Sequence, residues 1–378
     1  MRIVIDYRAA LKTRSGVGEY THQLIRALLE ASNSPAGTRH TITLFSSSSK
    51  DRLLPPPDLP GARVVDRRVP VSVLNLAWHR LEWPPVELLA GAPFDIAHSM
   101  HPLLMPTRSA AQVLTIHDLN FLLHPERTTA EIKRDYPALV RDHAHRADQI
   151  VVISEFTAAE VRRLLDVPAD RISVCTPGAP PWPRRASAPA DGYVLFFGTL
   201  EPRKNVGTLL DAWELLAAER RNLPRLLLAG KPTEQAAEWL ARIGRAPLNA
   251  HVTHVGYVAP DERPGLYAGA RLLVQPSFEE GFGLPVLEAM TVGVPVVAAN
   301  AGALPEVGGD AVLLVPPTDA RAMADAIARL LDDEALAATC VERGLARAEH
   351  YSWSRAAENA LVAYERALVR RAVRKGVS

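Results

Sequence analysis

Thirteen short apolar runs rich in Val, Ile and Leu punctuate the chain. Seven fall in the first half: RIVID from Arg2, TITLF from Thr41, ARVVD from Ala62, FDIAHS from Phe94, QVLTIHD from Gln112, DQIVVIS from Asp148 and RISVC from Arg171. Six follow: YVLFFG from Tyr193, RLLLAG from Arg225, VTHVGYV from Val252, RLLVQPS from Arg271, PVVAAN from Pro295 and AVLLVP from Ala311. Runs this continuous predict strands buried on both faces, as in a parallel sheet. Between several of them the apolar spacing becomes helical, as over Tyr20 to Ala31 (Leu24, Ala27, Leu28, Ala31) and Glu131 to Ala147 (Ile132, Leu139, Val140, Ala144). Strand and helix alternate, so the expected class is α/β.

The alternation is interrupted once, by the proline-rich Pro177 to Gly192, which has no periodic pattern able to bury a face. It divides the chain into a first doubly wound domain, 1–176, a linker, 177–192, and a second domain, 193–352, followed by a helix over 353–378. The SSSS run from Ser46 reads as a solvated loop opening onto LPPPDLPG. In open parallel sheets ligands bind beyond the carboxyl ends of the strands, so chemistry is sought just after each strand, in a cleft expected between the two domains.

Composition narrows the ligand. Among 378 residues, 43 Lys and Arg face 42 Asp and Glu, a net charge of +1, so no broad basic field exists to hold nucleic acid. Any anion site is local. Cys175 and Cys340 have no partner at metal-ligand spacing, which points to a reduced compartment and to no metal or resident cofactor. No apolar run approaches the ~18 residues of a membrane span, and the expectation is a cytoplasmic protein, at most peripheral at the inner face of a membrane.

Gly16 and Gly18 in RSGVGEY stand before a helix and permit close backbone approach, with a ligand-free tight turn as the equal alternative. His117 and Asp118 end an otherwise apolar strand; strand-end placement favours a functional His117. His98 and His101 occupy an analogous end and are weaker candidates. In GTLEPRKN, Gly198 closes a strand and Arg203 and Lys204 follow, a guanidinium fork beside a point charge that suits a diphosphate without a metal. SFEEGFGLPVLEAM supplies Glu280, a loop with Gly281 and Gly283, a helix start at Leu284 with Pro285 in its first turn, and Glu288. By itself Glu288 fits mere helix design, and Glu279 reads as a solvent-facing neighbour. Cations, a helix N-terminus and hydroxyl-accepting carboxylates together describe a nucleotide sugar.

The spacing from Glu280 to Glu288 resembles the E-x7-E motif of the retaining glycosyltransferases of family four, which have the GT-B fold. GTLEPRKN, HVGYV, LVQPSFEEGFGLPVLEAM, GVPVVAAN and LPEVGGDAVLLVPPTD are similar to that family's donor domain, and SGVGEY, TIHDL and VVISEFT more loosely to its acceptor domain. The resemblance implies that Arg203 and Lys204 hold the donor pyrophosphate, Glu288 the ribose and Glu280 the transferred sugar, with backbone N–H groups around Phe282, Gly283 and Leu284. It places His117 near the anomeric centre, Gly16 and Gly18 beside the phosphates, and Gly198, Gly281 and Tyr257 of HVGYV among the donor contacts. It also implies that the last helix crosses back to the first domain, and a metal-independent reaction with retention. The wording of TLEPRKN and HDLNFLLHPE leans to a mannosyltransferase using GDP-mannose in polysaccharide biosynthesis, with a UDP-hexose as second donor. One departure is NAGALPEV, where Gly302 and Ala303 replace frequent serines.

The acceptor, a glycan or lipid-linked glycan, falls to the variable first domain. LNLAWHRLEWPP offers Trp78 and Trp83 near Arg80 as a surface for it, against the alternative that both indoles are core. The cluster Arg366, Arg370, Arg371, Arg374 and Lys375 suits anionic lipid, against ordinary solvated fraying. Two rival readings are a sugar-nucleotide epimerase, which needs no acceptor, and a non-catalytic nucleotide-sugar binding protein.

Overall fold

All thirteen apolar runs form strands, and every strand pair is parallel: β1 (Arg2–Asp6), β2 (Thr41–Ser47), β3 (Arg63–Arg67), β4 (Ile96–Ser99), β5 (Ala111–Ile116), β6 (Gln149–Val152), β7 (Ile172–Val174), β8 (Tyr193–Phe197), β9 (Leu226–Ala229), β10 (Val252–Gly256), β11 (Ala270–Gln275), β12 (Val296–Ala299) and β13 (Leu313–Val315). The computed structural model describes residues 1–11, 14, 16–33, 39–125 and 130–376. Its contacts divide the chain into Met1–Gly178 with Ser352–Ser378, and Ala179–Tyr351.

In the first unit the strand order is β3-β2-β1-β4-β5-β6-β7. Ile3 pairs with Ile42 on one side and Ile96 on the other, and the order reverses between β1 and β4. Ile3, Val4 and Ile5 are wholly buried, which is why the run shows no polar alternation. The helix Trp353–Arg374 packs on the helix Val17–Asn33 and on β5 and β6. Buried alanines at 356, 357, 360, 363 and 367 form its inner stripe and let it approach closely.

The second unit has the order β10-β9-β8-β11-β12-β13, reversing between β8 and β11, the Rossmann order. Leu209, Leu210 and Trp213 of the helix Val206–Glu219 pack with Leu226, Leu228, Leu272, Val274 and Ile327. The proline-rich segment, expected as a linker, lies along this unit from Ala179 onward. Arg185 N–H donates to Val292 O (3.0 Å), its guanidinium bonds Ala270 O, and Trp182 packs on Tyr267 with ring centroids 5.7 Å apart. Having no element of its own, the segment satisfies its polar groups on its neighbour's backbone.

Three expectations need correction. The serine run is not a solvated loop: Ser46 and Ser47 close β2 with no exposure, because β2 lies between β1 and β3. Ser47 Oγ is satisfied by Val69 O at 2.7 Å, and Ser48 Oγ accepts from Lys50 and Asp51 N–H. Of the two indoles only Trp83 is exposed. Trp78 is buried against Phe45 beneath the Arg8 guanidinium, with Nε1 donating to Pro84 O. The basic C-terminal cluster is largely neutralised: Arg370 pairs with Asp170, and Arg371 and Arg374 pair with buried Asp148.

Candidate active site

The switch point of the second sheet gathers the chemistry. After β8 the chain passes Gly198 and enters a short 3-10 turn, Pro202–Lys204, closed by Asn205 at φ +56°. Asn205 is buried and its amide donates to Pro276 O (2.9 Å) and Pro317 O (2.6 Å), while Phe278 N–H donates to Arg203 O (2.9 Å). These bonds tie the cationic turn to the loop that follows β11. Asparagine tolerates the left-handed conformation there, a signal in PRKN that sequence reasoning passed over.

Across from it stands Glu280, 6% exposed. Its Oε1 accepts from Lys204 Nζ (2.6 Å), Gln275 Nε2 (2.8 Å) and Ser277 Oγ (2.7 Å), and its Oε2 from Arg203 (3.1 Å). Burial alone would raise the carboxyl, but Lys204 and Arg203 outweigh it and hold it at about 2. Burial pushes the Lys204 ammonium below its ordinary value, with Glu280 opposing that drop. Four charge-assisted or neutral donors around one carboxylate make the ionised pair the stable form. So the two cations expected for a diphosphate are engaged by the carboxylate expected for a sugar; the structure joins roles that the sequence kept apart. Gln275 and Ser277 were missed as members of this network.

Gly302 explains the departure in NAGALPEV. Its φ is +59°, and a Cβ there would lie 2.6 Å from Glu280 N and 2.7 Å from Glu280 O. A serine cannot enter without moving the backbone of Glu280, whose carbonyl accepts from Ala303 N–H at 2.9 Å. Glu279, expected to face solvent, is instead 8% exposed, and its carbonyl accepts from Arg203 at 3.1 Å.

The helix Leu284–Val292 begins at this loop. Gly283, at φ +109°, is its N-cap and supplies no side-chain cap; Pro285 brings no N–H and Val286 N–H donates to Gly283 O at 3.0 Å, so the Leu284 N–H and the positive end of the helix dipole are what this start offers an anion. Gly281, Phe282 and Gly283 are buried, Phe282 edge-on to Tyr351. One turn in, Glu288 is 5% exposed; Tyr267 Oη donates to it at 2.6 Å and Arg263 lies at 3.5 Å. Tyr267 is packed between Trp182 and Phe197. Glu288 is therefore a held carboxylate rather than helix decoration. Tyr257, just beyond β10, is exposed with Lys231 Nζ 4.7 Å from its ring centre.

In the first unit His117 directly follows β5, partly buried, with Nε2 3.2 Å from Met100 O and its ring edge-on to Tyr20. Burial lowers it to about 4, so it is neutral at pH 7. His98 is a core residue: its two ring nitrogens meet Tyr364 Oη and Thr115 Oγ1, each at 2.8 Å. His101 bonds Asp6, which also pairs with Arg8. Gly16 precedes the helix Val17–Asn33 at φ +51° and is exposed, whereas Gly18 lies inside the first turn and is buried, not in the loop as expected.

Two family models match the chain, one for glycosyltransferase family 4 over residues 14–181 and one for glycosyl transferases group 1 over residues 191–333. An O-antigen chain mannosyltransferase B of Escherichia coli is 36% identical over 274 residues, covering 69% of this chain and 72% of that protein. A serotype-specific mannosyltransferase WbdA of Escherichia coli is 30% identical over 68% of this chain, which spans only 33% of that protein's length. Among solved structures, a sucrose-phosphate synthase of Thermosynechococcus elongatus superposes with a TM-score of 0.77 at 22% identity, over 97% of this chain and 98% of its own. The fold expected from the sequence, GT-B with two Rossmann-like units, is the one present.

Proposed function

The chain belongs to the glycosyltransferases of family 4, and we propose that it transfers a mannosyl residue from GDP-mannose to a glycan acceptor, with retention and without a divalent metal. The observation that carries this reading is the Arg203–Lys204–Glu280 cluster beside the uncapped start of the helix Leu284–Val292. A diphosphate needs positive potential from fixed groups, and the two cations and the helix start supply it within one loop pair. The mannosyl choice is supported by the relative that is 36% identical.

In this mechanism the donor diphosphate draws Arg203 and Lys204 from Glu280, whose carboxylate then accepts from sugar hydroxyls. Glu288, already oriented by Tyr267, accepts from the ribose. The bond from the anomeric carbon to phosphate breaks with its electron pair passing to the phosphate. The acceptor oxygen bonds the same face of that carbon and its proton passes to the departing phosphate. Cations that tighten on the phosphate as charge develops lower the barrier. The roles expected for His117, Gly16, Gly18, Gly198, Gly281 and Tyr257 belong to the same proposal, as do a lipid-linked acceptor and a cytoplasmic setting for polysaccharide synthesis.

A thermal-shift panel of nucleoside diphosphates tests it: GDP raises the midpoint by ordinary ligand linkage. Stabilisation by UDP and not GDP overturns the mannose donor in favour of a UDP-hexose. Activity that survives EDTA supports metal independence, and a strict requirement for Mg²⁺ refutes it. Donor consumption that needs no acceptor points to the epimerase instead.

A further inference from the structure

At the edge of the first sheet stands β7, paired with β6 on one side only. Cys175 N–H donates to Val152 O, so strand alternation turns the N–H and carbonyl of Val174 away from β6. The carbonyl is taken by Asn359 Nδ2 of the helix Trp353–Arg374 at 3.1 Å. There the helix Glu155–Leu165, β7 and the helix Trp353–Arg374 surround a cavity of about 340 Å³. Ala158, Ile172 and Val362 give it apolar walls, and Ser173 and Asn359 give it polar ones.

Two further lining residues, Arg162 and Arg366, select the occupant. Neighbouring arginines are held within the protein: Arg163 by Glu160, Arg171 by the carbonyls of Ala144, His145 and Ala147, and Arg370 by Asp170. Arg162 and Arg366 are exposed, come from different helices, and among the described residues neither guanidinium has a hydrogen-bonding or ion-pair partner. The one acid among the lining residues, Glu155, is already engaged. Ser173 Oγ accepts from Gln149 Nε2 at 3.1 Å, which leaves its own proton to donate. The cavity is therefore rich in donors: two guanidinium forks, a hydroxyl and an edge N–H. Such a set selects an anion, and guanidinium forks match phosphate oxygens in pairs. The volume lies at the small end of the ~300–1,000 Å³ usual for ligand sites, which favours a compact ligand whose hydroxyls meet Ser173 and Asn359. We propose that this cavity binds a sugar phosphate, its phosphate between Arg162 and Arg366 and its ring against Ala158, Ile172 and Val362. The site shares no residue with the Arg203–Lys204–Glu280 cluster, and the proposal does not rest on the transfer reaction.

Calorimetric titration of the full chain with mannose 6-phosphate, inorganic phosphate and mannose tests it. Mannose 6-phosphate binds one to one, more weakly as salt rises, and raises the unfolding midpoint. Inorganic phosphate binds about tenfold more weakly for want of the sugar contacts, and mannose gives no measurable heat. The double variant Arg162→Gln, Arg366→Gln weakens mannose 6-phosphate by about tenfold or more, with its ligand-free midpoint unchanged because both side chains are exposed and unpaired. Ala169→Phe, at an exposed lining position, fills the cavity while keeping both cations and weakens binding equally. No binding of mannose 6-phosphate, unchanged binding by the arginine variant, or inorganic phosphate binding as tightly as the sugar phosphate overturns the proposal. Binding lost in the arginine variant but kept by Ala169→Phe would reduce it to charge pairing at the surface and overturn it as well.

Discussion

Replacing Glu280 by Gln separates two duties of one carboxylate. In the ligand-free protein it neutralises Lys204 at 2.6 Å and Arg203 at 3.1 Å, both largely buried. The gap between its ordinary 4.5 and about 2 corresponds to roughly 3 kcal/mol in favour of the ionised form, and breaking a buried pair by removing one partner costs about 3–5 kcal/mol. After local relaxation the expected loss is about 2–3 kcal/mol, or about 5–10 °C in the unfolding midpoint of a unit this size. The sign of the pH dependence follows. A carboxyl held below its unfolded value contributes stability above pH 4.5, and that contribution disappears as pH falls toward 2. The variant and the parent therefore converge in acid. A diphosphate returns the missing negative charge, so GDP should bind the variant about tenfold tighter than the parent, adding about 1.4 kcal/mol to its ligand-induced stabilisation. Turnover should meanwhile fall by about two orders of magnitude, since the proposed sugar contact is lost. Differential scanning fluorimetry with and without GDP reads both effects. If GDP stabilises the variant no more than the parent, the idea that phosphate competes with Glu280 for the two cations is refuted.

Tyr267→Phe keeps the ring between Trp182 and Phe197 but removes the 2.6 Å bond to Glu288. Nucleotide affinity by calorimetry should weaken by about 1 kcal/mol, and unchanged affinity would separate Glu288 from the ribose. Gly302→Ala drives a Cβ into the Glu280 backbone at a positive φ; urea unfolding should show a loss of about 2 kcal/mol or more, and a neutral result would refute the steric account. Trp78→Ala should cost about 3–5 kcal/mol, whereas Trp83→Ala should stay within about 0.5 kcal/mol, because only the first is core. Burial holds His79 and His98 at about 3 and His117 and His143 at about 4, against an ordinary 6.5. The unfolded chain then binds more protons, so stability falls as pH drops below 6.5, by up to about 1.4 kcal/mol per pH unit for each histidine. A flat urea-unfolding free energy between pH 7 and pH 5 would contradict their burial.

Local pattern was enough for the strands, because a parallel strand buried on both faces writes its environment into consecutive residues, as RIVID and YVLFF do. It was also enough for the helix start at Leu284, where Gly283 and Pro285 fix the backbone within three residues. Residues from distant stretches were legible only through motif order, which brought Arg203, Lys204, Glu280 and Glu288 to one domain but said nothing of their pairing.

That pairing was decided by the tertiary structure. Whether Glu280 sits on Lys204 depends on β8 and β11 being neighbours at the sheet's switch point, a fact about strand order that no local spacing encodes. The same holds for Tyr267 on Glu288, Gly302 under Glu280, and Trp182 reaching from a proline-rich segment to Tyr267. Composition alone could not distinguish Trp78 from Trp83, or Ser46 in a central strand from Ser49 in a loop. Periodicity tells which faces a residue alternates between; only the packed fold tells which face is covered.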